Sequence, residues 1–272
     1  MIFKLKKQLG YIKRGLVGII KNYADQAVVS ANISKSEIGS SISGQPIDLY
    51  KIGSGNRKII VVGGIHGNEI GSIKVTRHLT NWVSENRKQY PGLTFYIIPC
   101  LNPDGYAKAL KHPDYWKGGL IGRFNNNNVD LNRNLKTSSF QTQSIWSRGK
   151  NYSETISVDC GSKPLSEPET EALVNFIKQE QISIYIGLHN SAADVMGSND
   201  LLGEKLAKIF SQNTGYKLIT HEDWLGLKQT GTAKEWCDSN NITYLEIEGR
   251  DRWSADWAAQ KSGLEAVFRE LS

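Results

Sequence analysis

Residues 57–72 read "RKIIVVGGIHGNEIGS". Four β-branched residues stand in a row, Ile59 to Val62, with no polar alternation. That is the pattern of a strand buried on both faces, as in a parallel sheet. Two glycines follow, then His66, then Glu69 three residues later. From Ile70 the apolar positions of "IGSIKVTRHLTNWVSENRKQ" fall at helical spacing. A buried strand, a glycine loop and a helix open an α/β unit. The loop itself has two readings. It cradles a metal between His66 and Glu69, or it is an ordinary turn with a surface histidine and a helix that begins on an acidic residue.

The pattern continues outward in both directions. "SGQPIDLYKIGSG" before it is a strand ending at a glycine turn. "LTFYIIPCLNPDGY" is a second buried strand that stops at the turn signal Asn-Pro-Asp-Gly. A long loop follows. "SEPETEALVNFIKQEQ" is a helix with Ser166 as its capping residue. "ISIYIGLHNS" is a strand with His189 near its end. "LLGEKLAKIFSQNTG" and "KQTGTAKEWCDSN" are helices, "ITYLEIEGR" is a strand, and the tail from Trp253 is helical. Such alternation predicts an α/β fold, a mostly parallel mixed sheet flanked by helices. In these sheets ligands gather beyond the carboxyl ends of the strands. His66, Asn102, His189 and Glu248 all fall at such ends, so four polar groups converge on one edge.

A chain of 272 residues with 39% hydrophobic and 22% charged residues is a globular protein with room for a sizeable core. The formal net charge of +6 is modest and dispersed, so no nucleic-acid or membrane partner is read from it. Cys100, Cys160 and Cys237 are odd in number, far apart and without a CxxC pair, which argues against a disulfide framework or a zinc finger. Cys100 and Cys237 are expected as buried thiols. Residues 1–35 are read as a basic helical extension, and residues 36–272 as one catalytic domain. The apolar run "GLVGII" in that extension is too short to span a membrane and lacks a clear cleavage site. No transmembrane segment is expected, and a cytoplasmic location is.

Catalytic zinc takes three protein ligands and leaves one position open, and two histidines with a glutamate are a standard set. His66 and Glu69 can reach one ion, and His189 at the end of a later strand is the candidate third ligand. His78, His112 and His221 lie in charged or helical contexts that suit this less. A second constellation is "RFNNNNVDLNRN", Arg123 to Asn134. The planar fork of Arg133 fits a carboxylate in two parallel bonds, and Asn132 adds an amide donor. Asp130 is the right group to accept from a ligating imidazole and orient it.

Taken in order, "GGIHGNE", "NPDGY", "VDLNRN", "SEPET", a strand-end histidine and a glutamate on a late strand resemble a zinc metallocarboxypeptidase of the carboxypeptidase A clan. The short bacterial branch that includes murein peptide amidases fits best. The resemblance runs from about Ile38 to Gly249. It implies one zinc ion per chain held by His66, Glu69 and His189. It implies that Arg133 and Asn132 hold the free carboxylate of a peptide substrate and that Arg123 steadies the oxyanion. The branch has a glycine where this chain has Asn128, so Asn128 is expected at positive φ, which asparagine tolerates. The resemblance puts the general base on the strand "ITYLEIEGR", at Glu248 or Glu246; two residues apart, both face the same way. Counting from "WCDSNNI" favours Glu248. The mobile tyrosine of the larger carboxypeptidases has no counterpart in "LKQTGTAKEWCDSNN": either it is dispensable, or Trp236 or Tyr244 stands in. The implied reaction is hydrolysis of the amide next to a free C-terminal carboxylate, with the γ-D-glutamyl-diaminopimelate bond of murein peptides as one substrate. Rival readings are a zinc-dependent N-acyl amino acid deacylase of the aspartoacylase and succinylglutamate desuccinylase type, and a metal-free binding protein on the same scaffold.

Overall fold

A computed structural model describes residues 33–112, 119–148, 154–220 and 229–272. Residues 1–32 of the expected basic extension lie outside the described residues. Ser34 and Lys35 already belong to the first strand.

Among the described residues ten strands form two sheets. In chain order they are β1 (Ser34–Ser40), β2 (Pro46–Gly53), β3 (Arg57–Val62), β4 (Leu93–Ile98), β5 (Gln143–Arg148), β6 (Glu154–Asp159), β7 (Ile184–Asn190), β8 (Asp194–Gly197), β9 (Lys217–Leu218) and β10 (Thr243–Gly249). The helices are α1 (Ile70–Asn86), α2 (Pro103–Leu110), α3 (Pro168–Glu180), α4 (Leu201–Thr214), α5 (Ala233–Ser239) and α6 (Trp257–Leu271). The main sheet has eight strands in the order β1-β2-β4-β3-β7-β10-β8-β9. Its centre, β4-β3-β7-β10, is parallel, while β1, β2 and β8 run antiparallel to their inner neighbours. The sheet is therefore mixed, as its central sequences predict.

The opening strand shows why the fold closes on itself. Ile59 and Val61 join a core with Val75, Leu79 and Val83 of α1, Phe210 of α4 and Phe268 of α6. Ile60 and Val62 point the other way and pack with Leu173 and Ile177 of α3 and Trp236 of α5. All four are at most 1% exposed. Burying each side chain contributes about 1.5–3 kcal/mol, so a strand apolar at every position is stable only with helices on both faces.

Several boundaries differ from the sequence reading. Asn-Pro-Asp-Gly is the start of α2 rather than a turn: the Asn102 side chain accepts from Gly105 N at 2.8 Å and Pro103 occupies the first turn. The same residue types serve both purposes, because each supplies a side-chain acceptor and a fixed φ. Helix α3 starts after Glu167 with Pro168, and Ser166 is not its cap; the Ser166 hydroxyl donates to Glu167 Oε1 at 2.7 Å. The expected helix over "KQTGTAKEWCDSN" is confined to Ala233–Ser239, capped by Thr232, which accepts from Glu235 N at 3.2 Å. The C-terminal helix starts at Trp257, not Trp253. The predicted long loop contains the β5–β6 hairpin. Strands β1, β8 and β9 escape the sequence reading: β1 is a largely exposed edge strand with no apolar alternation, and β8 and β9 are only four and two residues long. Cys237 is buried as expected, whereas Cys100 is only partly so and Cys160 is fully buried. No helix among the described residues is long and apolar enough to cross a membrane.

Candidate metal centre

The loop after β3 is sewn to the loop after β4. Gly63 N donates to Ile98 O, Leu101 N to Gly63 O and Asn102 N to Gly64 O, at 2.9–3.0 Å. Gly67 lies so close to α2 that a Cβ there would sit 2.1 Å from Tyr106 N and 2.2 Å from Gly105 C. Only glycine permits that approach, and the approach fixes His66 and Glu69 on either side of it.

Both side chains turn inward and meet His189 from the end of β7. One ligand atom from each of His66, Glu69 and His189 lies within 4.8 Å of the others, and all three residues are buried. His66 Nδ1 is 2.9 Å from Glu69 Oε1, and His189 Nδ1 is 3.2 Å from Glu69 Oε2. Asn190 N also donates to Glu69 Oε2 at 3.2 Å. Burial alone would push the Glu69 carboxyl up, but His66 and His189 outweigh it and hold the group well below the usual carboxylate range. The same contact works against burial on His189 and raises its pKa to about 9. Two imidazoles and one carboxylate, converging in a buried site, form a donor set suited to zinc.

Asp130 supports this set from behind. Its Oδ1 lies 3.1 Å from His66 Nε2 and accepts from Asn132 N at 3.0 Å. Its Oδ2 accepts from Arg123 Nε at 3.0 Å and Nη2 at 2.7 Å. Burial, which alone would raise the Asp130 pKa, is outweighed by Arg123 and His66, and the carboxyl sits well below its ordinary value. A carboxylate on Nε2 leaves Nδ1 as the ring atom facing the ligand cluster. Arg123 keeps Nη1 on the other side, 3.8 Å from Glu69 Oε1.

Asn132 and Arg133 sit on the short 3-10 turn Leu131–Arg133 that Asp130 opens. Asn132 Oδ1 accepts from Ala233 N at 2.8 Å, so the amide is oriented with its NH2 as the remaining donor. Arg133 is 3% exposed and, among the described residues, donates to the main-chain carbonyls of Asn132 and Ile145. Asn128 has φ of 65°, as its place in the loop requires.

Of the two candidate bases, the sheet register sets Glu248 beside His189 on the neighbouring parallel strand. Its Oε2 is sealed from solvent and has no hydrogen-bond partner among the described residues. Burial first, then repulsion from Glu69, pushes its pKa well above the usual value. Glu246 is engaged instead: its Oε2 accepts from the Tyr244 hydroxyl at 2.8 Å. That hydroxyl lies over Gly187, where a Cβ would be 2.6 Å away. Tyr244 is fully buried and Trp236 is 2% exposed in the core under the sheet, so neither is placed to close over a substrate.

The sequence reading overlooked Arg252, Trp146 and Asp194 beside this cluster. Arg252, on the turn after β10, is 3.7 Å from Glu69 Oε1 and donates to Asn68 Oδ1 at 3.1 Å. Trp146 of β5 lies under both Arg123 and Arg252, with its ring centre 4.6 and 5.9 Å from the two guanidinium carbons. Asp194 pairs with Glu248 from β8. The available signal for Arg252 was a second arginine just past the strand-end Gly249; Trp146 sat in a stretch read only as loop.

The fold and this site define a zinc carboxypeptidase: residues 21–263 match the zinc carboxypeptidase family, and the chain belongs to it, a hydrolase by class. Among its relatives is murein peptide amidase A of Escherichia coli K12, 26% identical over 215 residues, covering 77% of this chain and 78% of that protein. Mast cell carboxypeptidase A of Mus musculus is 31% identical over 270 residues, covering 88% of this chain and 63% of the mouse protein. The crystal structure of murein-tripeptide amidase from Escherichia coli O157 shares the fold, with a TM-score of 0.64 and 24% identity over 90% of this chain and 94% of that one.

Proposed function

We propose that this chain is a carboxypeptidase that carries one zinc ion on His66, Glu69 and His189 and cuts the amide bond next to a free C-terminal carboxylate, with murein peptides as its substrates. The observation that carries the reading is the unpartnered, sealed carboxylate oxygen of Glu248 beside the His-Glu-His set. Buried polar atoms are nearly always hydrogen-bonded, and one left open at a metal site is a group waiting for a reactant.

Zinc bound there supplies Lewis acidity, polarising a carbonyl and lowering the pKa of water. Glu248 accepts the proton of the attacking water and returns it to the leaving nitrogen. Arg123, pinned by Asp130 through Nε and Nη2, has Nη1 left to donate to the oxygen that gains charge. Arg133 and the Asn132 amide grip the terminal carboxylate and so fix which bond lies over Glu248. The similarity to murein peptide amidases over most of both chains supports the substrate class.

A panel of murein tripeptide, ordinary C-terminally free peptides and N-acyl amino acids tests the reading. Cleavage of the tripeptide at its last amide is expected, and Glu248→Gln should keep zinc while losing at least about a hundredfold in kcat. Cleavage of N-acyl amino acids alone would replace the carboxypeptidase reading by the deacylase one. Full turnover in Glu248→Gln would move the base elsewhere.

A further inference from the structure

We infer that Arg252 recognises a second carboxylate on the substrate, carried by the residue on the acyl side of the scissile amide; this rests on the carboxypeptidase reading above. Arg252 is 8% exposed, and its backbone is held in place from outside the turn. Gly71 N donates to Arg252 O at 2.8 Å, and the Asn190 side chain donates to Asp251 O at 2.7 Å. The guanidinium is thus presented to the centre by α1 and the end of β7.

Its charge lacks a dedicated partner. Arg123 has Asp130 at 2.7 Å. Among the described residues Arg252 has no carboxylate within hydrogen-bond distance. Its hydrogen bond goes to the neutral Asn68 Oδ1, and the nearest acid, Glu69 at 3.7 Å, already serves two imidazoles. A buried guanidinium without its own anion is costly, so such a position is maintained where an anion visits.

The place of Arg252 says which part of the substrate carries that anion. Arg123 links the other two arginines. It shares the Trp146 ring and the neighbourhood of Glu69 Oε1 with Arg252. It is also bonded to Asp130, which opens the turn that carries Arg133. Arg123 therefore lies between them. With the leaving residue's carboxylate on Arg133 and the scissile carbonyl at Arg123, Arg252 faces the acyl residue. The planar fork fits a carboxylate in two bonds. A γ-linked glutamyl residue keeps its α-carboxylate free close to the scissile amide, and an α-linked Asp or Glu offers a side-chain carboxylate instead.

Matched peptide pairs test this. One pair is alanyl-γ-D-glutamyl-diaminopimelate and its analogue with the glutamyl α-carboxylate amidated. The other is an α-linked peptide with Glu or Gln before its last residue. The wild-type enzyme should favour the carboxylate member by about tenfold or more in kcat/KM for the linkage it reads. Arg252→Gln should bring that ratio to about one, and Arg252→Lys should leave it intermediate. The affinities of Glu248→Gln protein for the same pairs, measured by calorimetry with and without Arg252→Gln, should show the same loss of discrimination without turnover. A wild-type ratio near one for both linkages would overturn the inference and leave the carboxypeptidase reading standing. So would an Arg252→Gln enzyme that loses activity equally on both members, since that is the mark of a structural role. Cleavage of no peptide with a free C-terminal carboxylate would remove the reading and the inference together.

Discussion

A single carboxylate, Asp130, ties the candidate ligands to the candidate oxyanion group, because its two oxygens serve His66 and Arg123 separately. Asp130→Asn keeps the shape but withdraws the charge from both. Supporting carboxylates of this kind are worth about 10–100-fold in metal affinity, so zinc competition against a chelator should show a loss in that range. An unchanged zinc affinity would mean that His66 orients itself. At this scale much of the site was legible. His66 and Glu69 stood out in the glycine loop, but that loop kept two readings until the ordered set of motifs around it resembled the zinc carboxypeptidases. Between Glu246 and Glu248, strand alternation placed the two on one face and counting leaned to Glu248. What separates them physically is the hydroxyl of Tyr244, which occupies Glu246. Arg252 was invisible for a related reason: its partners, Asn68 and Trp146, are brought to it only by the folded sheet.

At the scale of elements, the metal loop and α2 are one unit, and Gly67 is the contact between them. Gly67→Ala would drive a methyl into the backbone of Gly105 and Tyr106. Overpacking against main chain typically costs about 1–3 kcal/mol, so thermal melting should fall by several degrees and zinc affinity with it. Gly92→Ala is the control: its nearest neighbour is Ser272 O at 3.5 Å, and it should be close to neutral. Equal stability of the two variants would separate the loop from the helix. The central strands were read correctly from sequence because unbroken β-branched runs have one use. Helix α2 was not, since an Asn-Pro-Asp-Gly run caps a helix as readily as it makes a turn. Strands β1, β8 and β9 carry no periodic signal; β1 is paired by β2 and β8 by β10, and β9 by β8 in turn.

For the whole molecule, acids gathered at one sheet edge leave a trace in stability. Burial, with Glu246 adding repulsion and Lys217 opposing, lifts the Asp194 pKa from 3.8 to about 7. The folded protein therefore holds a proton that the unfolded chain has lost across that interval, so this group's contribution falls as pH rises from about 4 to about 7 and is level above. Its size is on the order of a few kcal/mol. In Asp194→Asn the melting temperature relative to wild type should climb across that window, whereas a difference constant with pH would place Asp194 in solvent. The central claim, that one zinc ion is held jointly by β3's loop and β7's end, is tested most directly by anomalous scattering at the zinc edge from crystals of the purified protein. The account predicts one peak per chain, between His66 Nδ1, Glu69 and His189 Nδ1. A fully ordered site in zinc-supplemented crystals with no peak there, or with the ion bound by other residues, would contradict it.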